Sequence, residues 1–250
     1  MAVHFLGPST RAEFLAANRR VYRFTTLDTF FQTVGKGRFS FVSPTLWKDP
    51  YEKYFIEREY SIGGRTMAMP IRDKVFASCF SGTSSSEAFW SVYAPNADGV
   101  RLAIDTEVLL SGFLEKIKGA DVFIGPVEYF ATTDLPKLGI DFPRLVSSMQ
   151  SGKDLAQQVG LMYRKRKAFA YENEVRVMVV PHKVKAGTRT VELPFDLRGL
   201  VSEVTFDPRM GDSLFRFLKK HLVAEYGLRP AKATLYRELK LEPIALDRKG

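Results

Sequence analysis

The chain has 250 residues, of which 45% are hydrophobic and 13% aromatic, so it can bury a core and is not expected to be disordered. Lys and Arg outnumber Asp and Glu by 37 to 28, and the net charge of +9 makes nucleic acid a candidate partner, although dispersed basic residues also serve solubility alone. A single cysteine excludes an internal disulfide and a multi-thiolate zinc site. With no apolar leader and no long apolar run, we expect a cytoplasmic protein without membrane contact.

The first fifth of the chain is predicted to alternate short helices and strands. Thr10 and Glu13 have the spacing of a capping box, which predicts a short helix. β-branched and aromatic residues predict strands over 21–25 and 38–42, with a helix between them. A Pro-containing loop is expected over 43–50.

Strands and helices mix irregularly in the remainder of the chain. Strand patterns cover 74–80, 100–104, 121–130, 174–180, 188–193, 200–206 and 232–246. Helical patterns cover 87–94, 107–118, 142–169 and 212–226. No repeat or compositional break is found, so residues 1–250 are predicted to form one α+β domain. Its sheet is expected to be mixed, largely antiparallel and flanked by helices.

The segment Tyr-Glu-Asn-Glu-Val-Arg at 171–176 is the most informative one for chemistry. Glu172 and Glu174 are two residues apart at the start of a predicted strand, so both carboxylates are expected on one face of the sheet. Neighbouring carboxylates can divide labour, one orienting a nucleophile and the other stabilising positive charge on a sugar carbon. The structural alternative is a solvated strand end where a Glu pairs with Arg176.

Two early segments carry groups that suit a nucleotide. Arg23, beside Tyr22 on a predicted strand, has a planar guanidinium that can hold a phosphate. The hydroxyls of Ser40 and Ser43 could orient a ribose while Asp49 fixes the loop by bonding its backbone. An ordinary surface arginine and a purely structural turn are the alternatives.

A third segment combines a polar strand end with aromatic residues. Residues 78–81 end in Ser81 and precede Trp90 and Tyr93, which lie three apart on one helix face. Such rings can stack on a nicotinamide or a nucleobase, although the same spacing is typical of a core. The basic run 164–167 is expected as the solvated face of a helix.

Familiar nucleotide and metal motifs are missing. The sequence has neither a phosphate loop nor a dinucleotide glycine fingerprint. Its three histidines stand far apart, which argues against a zinc hydrolase or a Ser-His-Asp hydrolase. No metal is expected.

An ordered set of motifs resembles the bacterial domain-of-unknown-function family 2971 over about residues 20–240. The family's usual Asn before Asp-Pro is Lys48 in this sequence. The motifs are, in chain order, Tyr22-Arg23, Trp47-Lys-Asp-Pro-Tyr-Glu52, Ser78-Cys-Phe-Ser81, Trp90-Ser-Val-Tyr93, Gly99-Val100 and Tyr171-Glu-Asn-Glu-Val-Arg176. This resemblance by itself implies no chemistry.

The order of Arg23, a Ser-containing strand and the two glutamates also resembles the Arg-Ser-Glu branch of the ADP-ribosyltransferase superfamily. The resemblance implies NAD⁺ as a substrate, bound by Arg23 without a metal. Glu174 would bind the nicotinamide ribose and stabilise an oxocarbenium-like transition state, and Glu172 would orient or deprotonate the acceptor. Either 40–43 or 78–81 could supply the Ser-containing strand.

The resemblance further implies a bacterial toxin or anti-phage defence factor that modifies RNA, DNA or protein. An antitoxin or immunity protein is then a candidate partner. The candidate site residues are Glu174 and Glu172 for catalysis, Tyr22, Arg23, Ser43, Ser81, Trp90 and Tyr93 for NAD⁺, and Asp49 and Arg176 for substrate binding.

Two other functions stay open at this point. A non-catalytic nucleic-acid-binding or regulatory module would use Arg23, the basic run 164–167 and the aromatic pair. A metal-dependent nuclease would use Asp49, Glu52 and the two glutamates of 171–176, and it would require a divalent ion.

Overall fold

The computed structural model describes residues 3–7, 10–137 and 139–237. The described strands are β1 (Val3–Phe5), β2 (Arg20–Thr26), β3 (Arg38–Val42), β4 (Glu59–Ile62), β5 (Arg65–Ala68), β6 (Phe76–Ser81), β7 (Gly99–Asp105), β8 (Ala120–Pro126), β9 (Glu128–Phe130), β10 (Arg164–Arg166), β11 (Glu174–Pro181), β12 (Thr190–Pro194), β13 (Val201–Phe206) and β14 (Ala231–Lys232). The described α-helices are α1 (Arg11–Ala17), α2 (Leu27–Lys36), α3 (Pro50–Glu57), α4 (Glu87–Tyr93), α5 (Thr106–Gly112), α6 (Phe142–Ser151), α7 (Leu155–Gly160), α8 (Leu197–Leu200) and α9 (Asp212–Tyr226). Short 3-10 helices cover Pro44–Leu46, Leu114–Lys116, Thr132–Lys137 and Lys167–Glu172.

Ten of the described strands form one central sheet. Its main path runs β1-β8-β11-β6-β2-β7-β13-β14, and β3 pairs with both β6 and β12. The β1–β8 and β13–β14 pairs are parallel, while the other pairs within the sheet are antiparallel. The α+β fold with a mixed, largely antiparallel sheet flanked by helices is therefore confirmed. That residues 1–250 make up one domain stays a prediction.

The two faces of the sheet are covered by separate apolar clusters. Alternation along β11 sends Val177 into one cluster and Met178 into the other. The first cluster includes Phe30 of α2 and Leu222 of α9, whereas the second includes Ile56 of α3. β11 is buried along almost its whole length for this reason, which explains its near-continuous apolar sequence.

Several local predictions hold. The capping box of α1 is present, because the Thr10 hydroxyl accepts from the Glu13 N–H at 3.3 Å and the Glu13 carboxylate accepts from the Thr10 N–H at 2.8 Å. The strand and helix expected over 200–206 and 212–226 are β13 and α9.

Within the described residues, no helix combines the length and the apolar character that a membrane crossing requires.

Residues 43–50, predicted to be a loop, instead contain a 3-10 helix and the start of α3. The Ser43 hydroxyl caps the first turn ahead of Pro44, and the Asp49 carboxylate accepts from the Tyr51 N–H at 3.0 Å ahead of Pro50. A capping side chain followed by proline is a helix start, and this signal outweighs the loop composition.

Residues 142–169, predicted to be mainly helical, are broken twice. Gly152 takes a φ of 67° and ends α6, and after α7 the chain turns into β10. Arg164–Arg166 pairs in parallel with Glu128–Phe130, so the basic run lies on a strand and the following 3-10 helix.

Three other predicted elements differ in extent. The helix predicted over 107–118 is α5 followed by a 3-10 turn, and the strand predicted over 121–130 is divided between β8 and β9. Of the strand region predicted over 232–246, Lys232 lies in β14, the described residues 233–237 are not in a strand, and 238–246 lies outside the described residues.

Candidate functional site

The central sheet opens beside β6 and leaves a cavity there. One edge of β6 pairs with β3 through Ala77 and Val42, and with β2 through Ser81 and Tyr22. Between these two contacts, residues 78–80 have no strand neighbour on that edge among the described residues. A cavity of about 310 Å³ lies at this opening, a volume within the usual range for small-molecule sites.

Arg23 of β2 lines the cavity as a half-buried cation. Its Nη1 donates to the Ser78 hydroxyl at 2.5 Å and to the Cys79 carbonyl at 3.1 Å, and its guanidinium carbon lies 4.7 Å from the Phe39 ring centroid. In the described part of the chain, no carboxylate lies within ion-pair distance of it. Burial lowers the pKa of Arg23, yet an arginine stays protonated, so a charge without a counterion faces the cavity.

The cavity is also lined by Glu172 and Glu174, which flank a tight turn. The expectation that both lie in a strand and project by alternation is wrong, because Glu172 ends a 3-10 helix and β11 begins only at Glu174. Asn173 between them has a φ of 42°, a left-handed conformation that Asn tolerates. This turn, and not a sheet face, brings the two carboxylates together.

Neighbouring elements fix the backbone of the turn. The Ser81 hydroxyl donates to the Glu172 carbonyl at 2.6 Å, and the Gly82 N–H donates to the Asn173 carbonyl at 2.7 Å. From β9, the Tyr129 hydroxyl accepts the Glu174 N–H at 2.8 Å. The turn is therefore tied to β6 and β9 at each of its residues.

Behind the cavity, five charged side chains form a cluster that we call the buried charge cluster. The Arg176 guanidinium contacts Glu174 at 2.7 Å and Glu52 at 2.8 Å. The Lys165 ammonium contacts Glu172 at 2.6 Å, Glu174 at 3.2 Å and Glu52 at 3.3 Å. Three carboxylates thus share two cations, and the prediction of a solvated basic helix face at 164–167 is wrong for Lys165.

The cluster gives the two cavity-lining carboxylates different proton affinities. Burial alone would raise the pKa of Glu174, but the adjoining Arg176 and Lys165 outweigh it and lower that pKa to about 2. Burial is the largest effect on Glu172 and raises its pKa, Lys165 opposes it, and the charges of Glu174 and Glu52 add to the rise. Glu174 is therefore a permanent anion, while Glu172 is the carboxyl group better suited to exchange a proton.

Aromatic rings of α4 and the 3-10 turn before α3 complete the walls. Phe89 and Tyr93 line the cavity with ring centroids 5.8 Å apart, and Trp47, which follows the 3-10 turn, also lines it. Burial raises the pKa of Tyr93 well above its usual value, so its hydroxyl stays neutral. Trp90 does not line the cavity, because its ring packs beside Gly99.

Some predicted binding residues lie away from the cavity. The Ser43 hydroxyl bonds Thr45 at 2.9 Å and does not line the cavity. Segment 40–43 reaches the cavity through Val42, whereas 78–81 lines it with both Ser78 and Ser81. Asp49 caps α3 and contacts Arg166 at 3.1 Å. Arg176 is fully buried behind Glu174 and supports it. Tyr22, Arg23, Ser81, Tyr93, Glu172 and Glu174 are the predicted residues that do line the cavity.

Sequence reasoning missed four residues of the site. Lys165 was grouped with basic neighbours that were expected to be exposed. Phe89 was passed over in favour of the neighbouring Trp90. Glu52 was considered only as a metal ligand, and Trp47 only as part of a motif. Within the described residues, no group of three His, Cys, Asp or Glu side chains is arranged to hold a metal ion.

Comparison with known sequences confirms the predicted resemblance to family 2971 over part of the chain. Residues 89–177 match the sequence model of a protein family of unknown function, DUF2971. This segment includes α4 from residue 89 onward and the Glu172–Glu174 turn, but not Arg23 or Glu52. No curated protein matches the sequence.

Solved structures of DarT from Thermus sp. 2.9 are similar at low sequence identity. The complex with ADP-ribosylated ssDNA is 9% identical, with a TM-score of 0.40, over 86% of this chain and 94% of that chain. The complex with NAD⁺ is 10% identical, with a TM-score of 0.39, over 86% and 96% of the two chains. The complex with carba-NAD⁺ is 11% identical, with a TM-score of 0.37, over 86% and 95%. Similarity at this level assigns no role to any residue.

Proposed function

We propose that this protein is an NAD⁺-dependent ADP-ribosyltransferase whose site is the cavity beside β6. One observation carries the proposal: a half-buried arginine without a carboxylate partner among the described residues and a buried, ionised glutamate line the same cavity. NAD⁺ combines a pyrophosphate with a positively charged nicotinamide ring on a ribose. The charges of Arg23 and Glu174 are complementary to those two parts.

The binding step follows from the groups on the cavity walls. The Arg23 guanidinium uses Nη1 to bond Ser78 and Cys79, which leaves other N–H groups to donate to a phosphate oxygen. The Tyr93 ring lines the cavity and is 38% exposed, so it offers a stacking surface to the nicotinamide ring, while Phe89 packs on Phe24 and Tyr93 behind it. Arg23 therefore contributes mainly to the affinity for NAD⁺.

The chemical step uses the two carboxylates in different ways. The bond between the ribose C1 and the nicotinamide nitrogen breaks, its electrons neutralise the ring, and positive charge develops on the ribose. The anionic Glu174 stabilises that charge. The acceptor nucleophile forms the new bond to C1, and its proton passes to Glu172, whose raised pKa suits a general base. Glu172 later releases the proton to water.

We propose nucleic acid as the acceptor, since the chain carries a net charge of +9 that attracts phosphate backbones. In this proposal the protein acts as a toxin or anti-phage defence factor, and an antitoxin or immunity protein would restrain it. The test below distinguishes a nucleic acid acceptor from a protein acceptor.

The test is transfer of label from NAD⁺ carrying a labelled ADP-ribose portion to a bacterial lysate, with and without a chelator. We expect transfer with the wild-type protein and a loss of about 100-fold or more with Glu174→Gln. Glu59→Gln is the matched control, because Glu59 is exposed on β4 and does not line the cavity. Nuclease and protease digestion of the labelled product then identifies the acceptor class.

Negative outcomes of this test point to the other functions. A folded wild-type protein that neither releases nicotinamide nor transfers label would sink the transferase proposal. Lysate RNA or DNA cleaved only in the absence of the chelator would favour the nuclease, and binding without any turnover would favour the non-catalytic module.

A further inference from the structure

Lys165 is the only cation that contacts Glu172 among the described residues. Its ammonium lies 2.6 Å from Glu172, and it also contacts Glu174 and Glu52 at 3.2 and 3.3 Å. An ammonium group has three N–H donors, so each carboxylate can receive one. Arg176, the other cation of the buried charge cluster, contacts Glu52 and Glu174 but not Glu172.

Of the two cavity-lining carboxylates in the described structure, Arg176 contacts Glu174, whereas Lys165 contacts both Glu172 and Glu174. Arg176 holds Glu174 by Nε at 2.7 Å and Nη2 at 3.0 Å, and that contact does not require Lys165. Glu52 joins the two cations, with one carboxylate oxygen on each. Loss of Lys165 thus removes the cationic partner of Glu172 while Glu174 keeps its own.

The position of the ammonium is set by the fold around it. Lys165 lies opposite Tyr129 in the β10–β9 pair, and the hydroxyl of the same Tyr129 accepts the Glu174 N–H. The Lys165 side chain is 9% exposed, and its ammonium lies 4.9 Å from the Phe169 ring centroid. Backbone pairing and burial therefore direct this side chain at the Glu172–Glu174 turn and away from solvent.

We propose that Lys165 is a positioning residue, supported by Glu52, that holds the Glu172 carboxylate beside Glu174 in the form that accepts a proton. The assignment of Glu172 to the acceptor step rests on the function proposed above. The contact between Lys165 and Glu172 does not depend on any activity. Its effect on the titration of the Glu172 carboxyl group can be measured directly.

The charged and titratable groups around Glu172 predict the sign of the effect. These groups are Lys165 of β10, Glu174 and Arg176 of β11, Glu52 of α3, Cys79 of β6, Tyr93 of α4, Tyr129 of β9 and the adjacent Tyr171. Burial and the neighbouring carboxylates favour the protonated form, and Lys165 opposes them. Without Lys165, Glu172 is expected to titrate at a higher pH.

The test is a ¹³C titration of the glutamate carboxyl groups, with the Glu172 signal assigned from Glu172→Gln. In Lys165→Met the Glu172 midpoint is expected to move up by about one pH unit or more. Lys165→Arg should return it partly toward the wild-type value. Glu203, which pairs with Arg101 on the opposite half of the sheet, is the internal control whose midpoint stays the same.

Turnover assays on the same proteins add a second readout. Transfer by Lys165→Met at pH 7 is expected to fall about tenfold and to recover at higher pH, while the KM for NAD⁺ stays within about threefold. A purely structural role would lower activity at every pH. If Lys165→Met does not fold, the double variant Lys165→Met/Glu52→Gln is titrated in its place. This double variant keeps the net charge of the cluster.

The outcomes separate this inference from the proposed function. An unchanged Glu172 midpoint overturns the positioning role, whatever the activity. A shifted midpoint in a protein without NAD⁺ turnover supports the positioning role and overturns the proposed function instead.

Discussion

The Ser81 hydroxyl donates a 2.6 Å hydrogen bond to the backbone carbonyl of Glu172, so the last residue of β6 fixes the turn that carries both candidate carboxylates. Gly82 continues this contact through its N–H, which donates to Asn173. The same strand supplies Ser78, whose hydroxyl accepts from Arg23. β6 therefore sets the distance between the cationic and the anionic side of the cavity, and its serines act as braces.

Ser81→Ala is expected to displace the Glu172 turn without disturbing NAD⁺ binding. We predict that kcat falls about tenfold with little change in the KM for NAD⁺, and that the free energy of unfolding falls by about 1 kcal/mol for the lost hydrogen bond. Steady-state kinetics and urea unfolding measure the two effects. Ser202→Ala is the control, because the Ser202 hydroxyl also donates to a backbone carbonyl, that of Ala103, away from the cavity. Equal kcat losses in the two variants would contradict the bracing role.

Arg23→Met is expected to weaken NAD⁺ binding without weakening the fold. The methionine keeps apolar contact with Phe39 but removes a half-buried charge that has no counterion in the described structure. We predict that the Kd for NAD⁺ rises at least about tenfold and that the Tm stays the same or rises. Calorimetric titration and thermal unfolding check this.

The control for Arg23 is Arg11→Met. Arg11 forms an exposed ion pair with Glu107 at 2.6 Å, and its loss should leave NAD⁺ binding unchanged. A large fall in Tm with unchanged binding would show that Arg23 is structural.

The sequence was most informative where a local pattern alone decides the structure. Alternating and β-branched runs located most strands of the central sheet, and the irregular order of helices and strands indicated the α+β class. Arg23 and the two glutamates of 171–176 were selected on side-chain chemistry, and all three line the cavity. These choices required no knowledge of long-range contacts.

The sequence was least informative where a distant partner decides the structure. Lys165 sits between two arginines in a run that favours a solvated face, and its burial follows from the carboxylates of Glu52, Glu172 and Glu174. Arg164–Arg166 becomes a strand because it pairs with β9. Neither the ion pairs nor the strand pairing leaves a trace in the local pattern, since tertiary context overrides weak local propensities.

The low pKa of Glu174 predicts how stability depends on pH. A carboxyl whose pKa is about 2 in the folded state and near 4.5 in the unfolded state stabilises the protein above pH 4.5. That stability is lost as the pH falls from about 4.5 toward 2, and it amounts to about 3 kcal/mol. Urea unfolding at pH 7, 5 and 3 should show a smaller decline in Glu174→Gln than in the wild type. Glu59→Gln should follow the wild type, and parallel declines in all three proteins would contradict the ion pairs of Glu174.

The last prediction separates the aromatic residues of α4 by role. Tyr93 lines the cavity and is 38% exposed, whereas Trp90 is buried and lies outside the cavity lining. Tyr93→Leu is expected to raise the KM for NAD⁺ about fivefold, because a leucine offers no flat face to the nicotinamide ring. Trp90→Phe is expected to lower the free energy of unfolding by about 1–3 kcal/mol through the cavity it leaves, with the KM unchanged. Kinetics and urea unfolding on both variants decide the matter, and a raised KM in Trp90→Phe alone would restore Trp90 as the ring that stacks on nicotinamide.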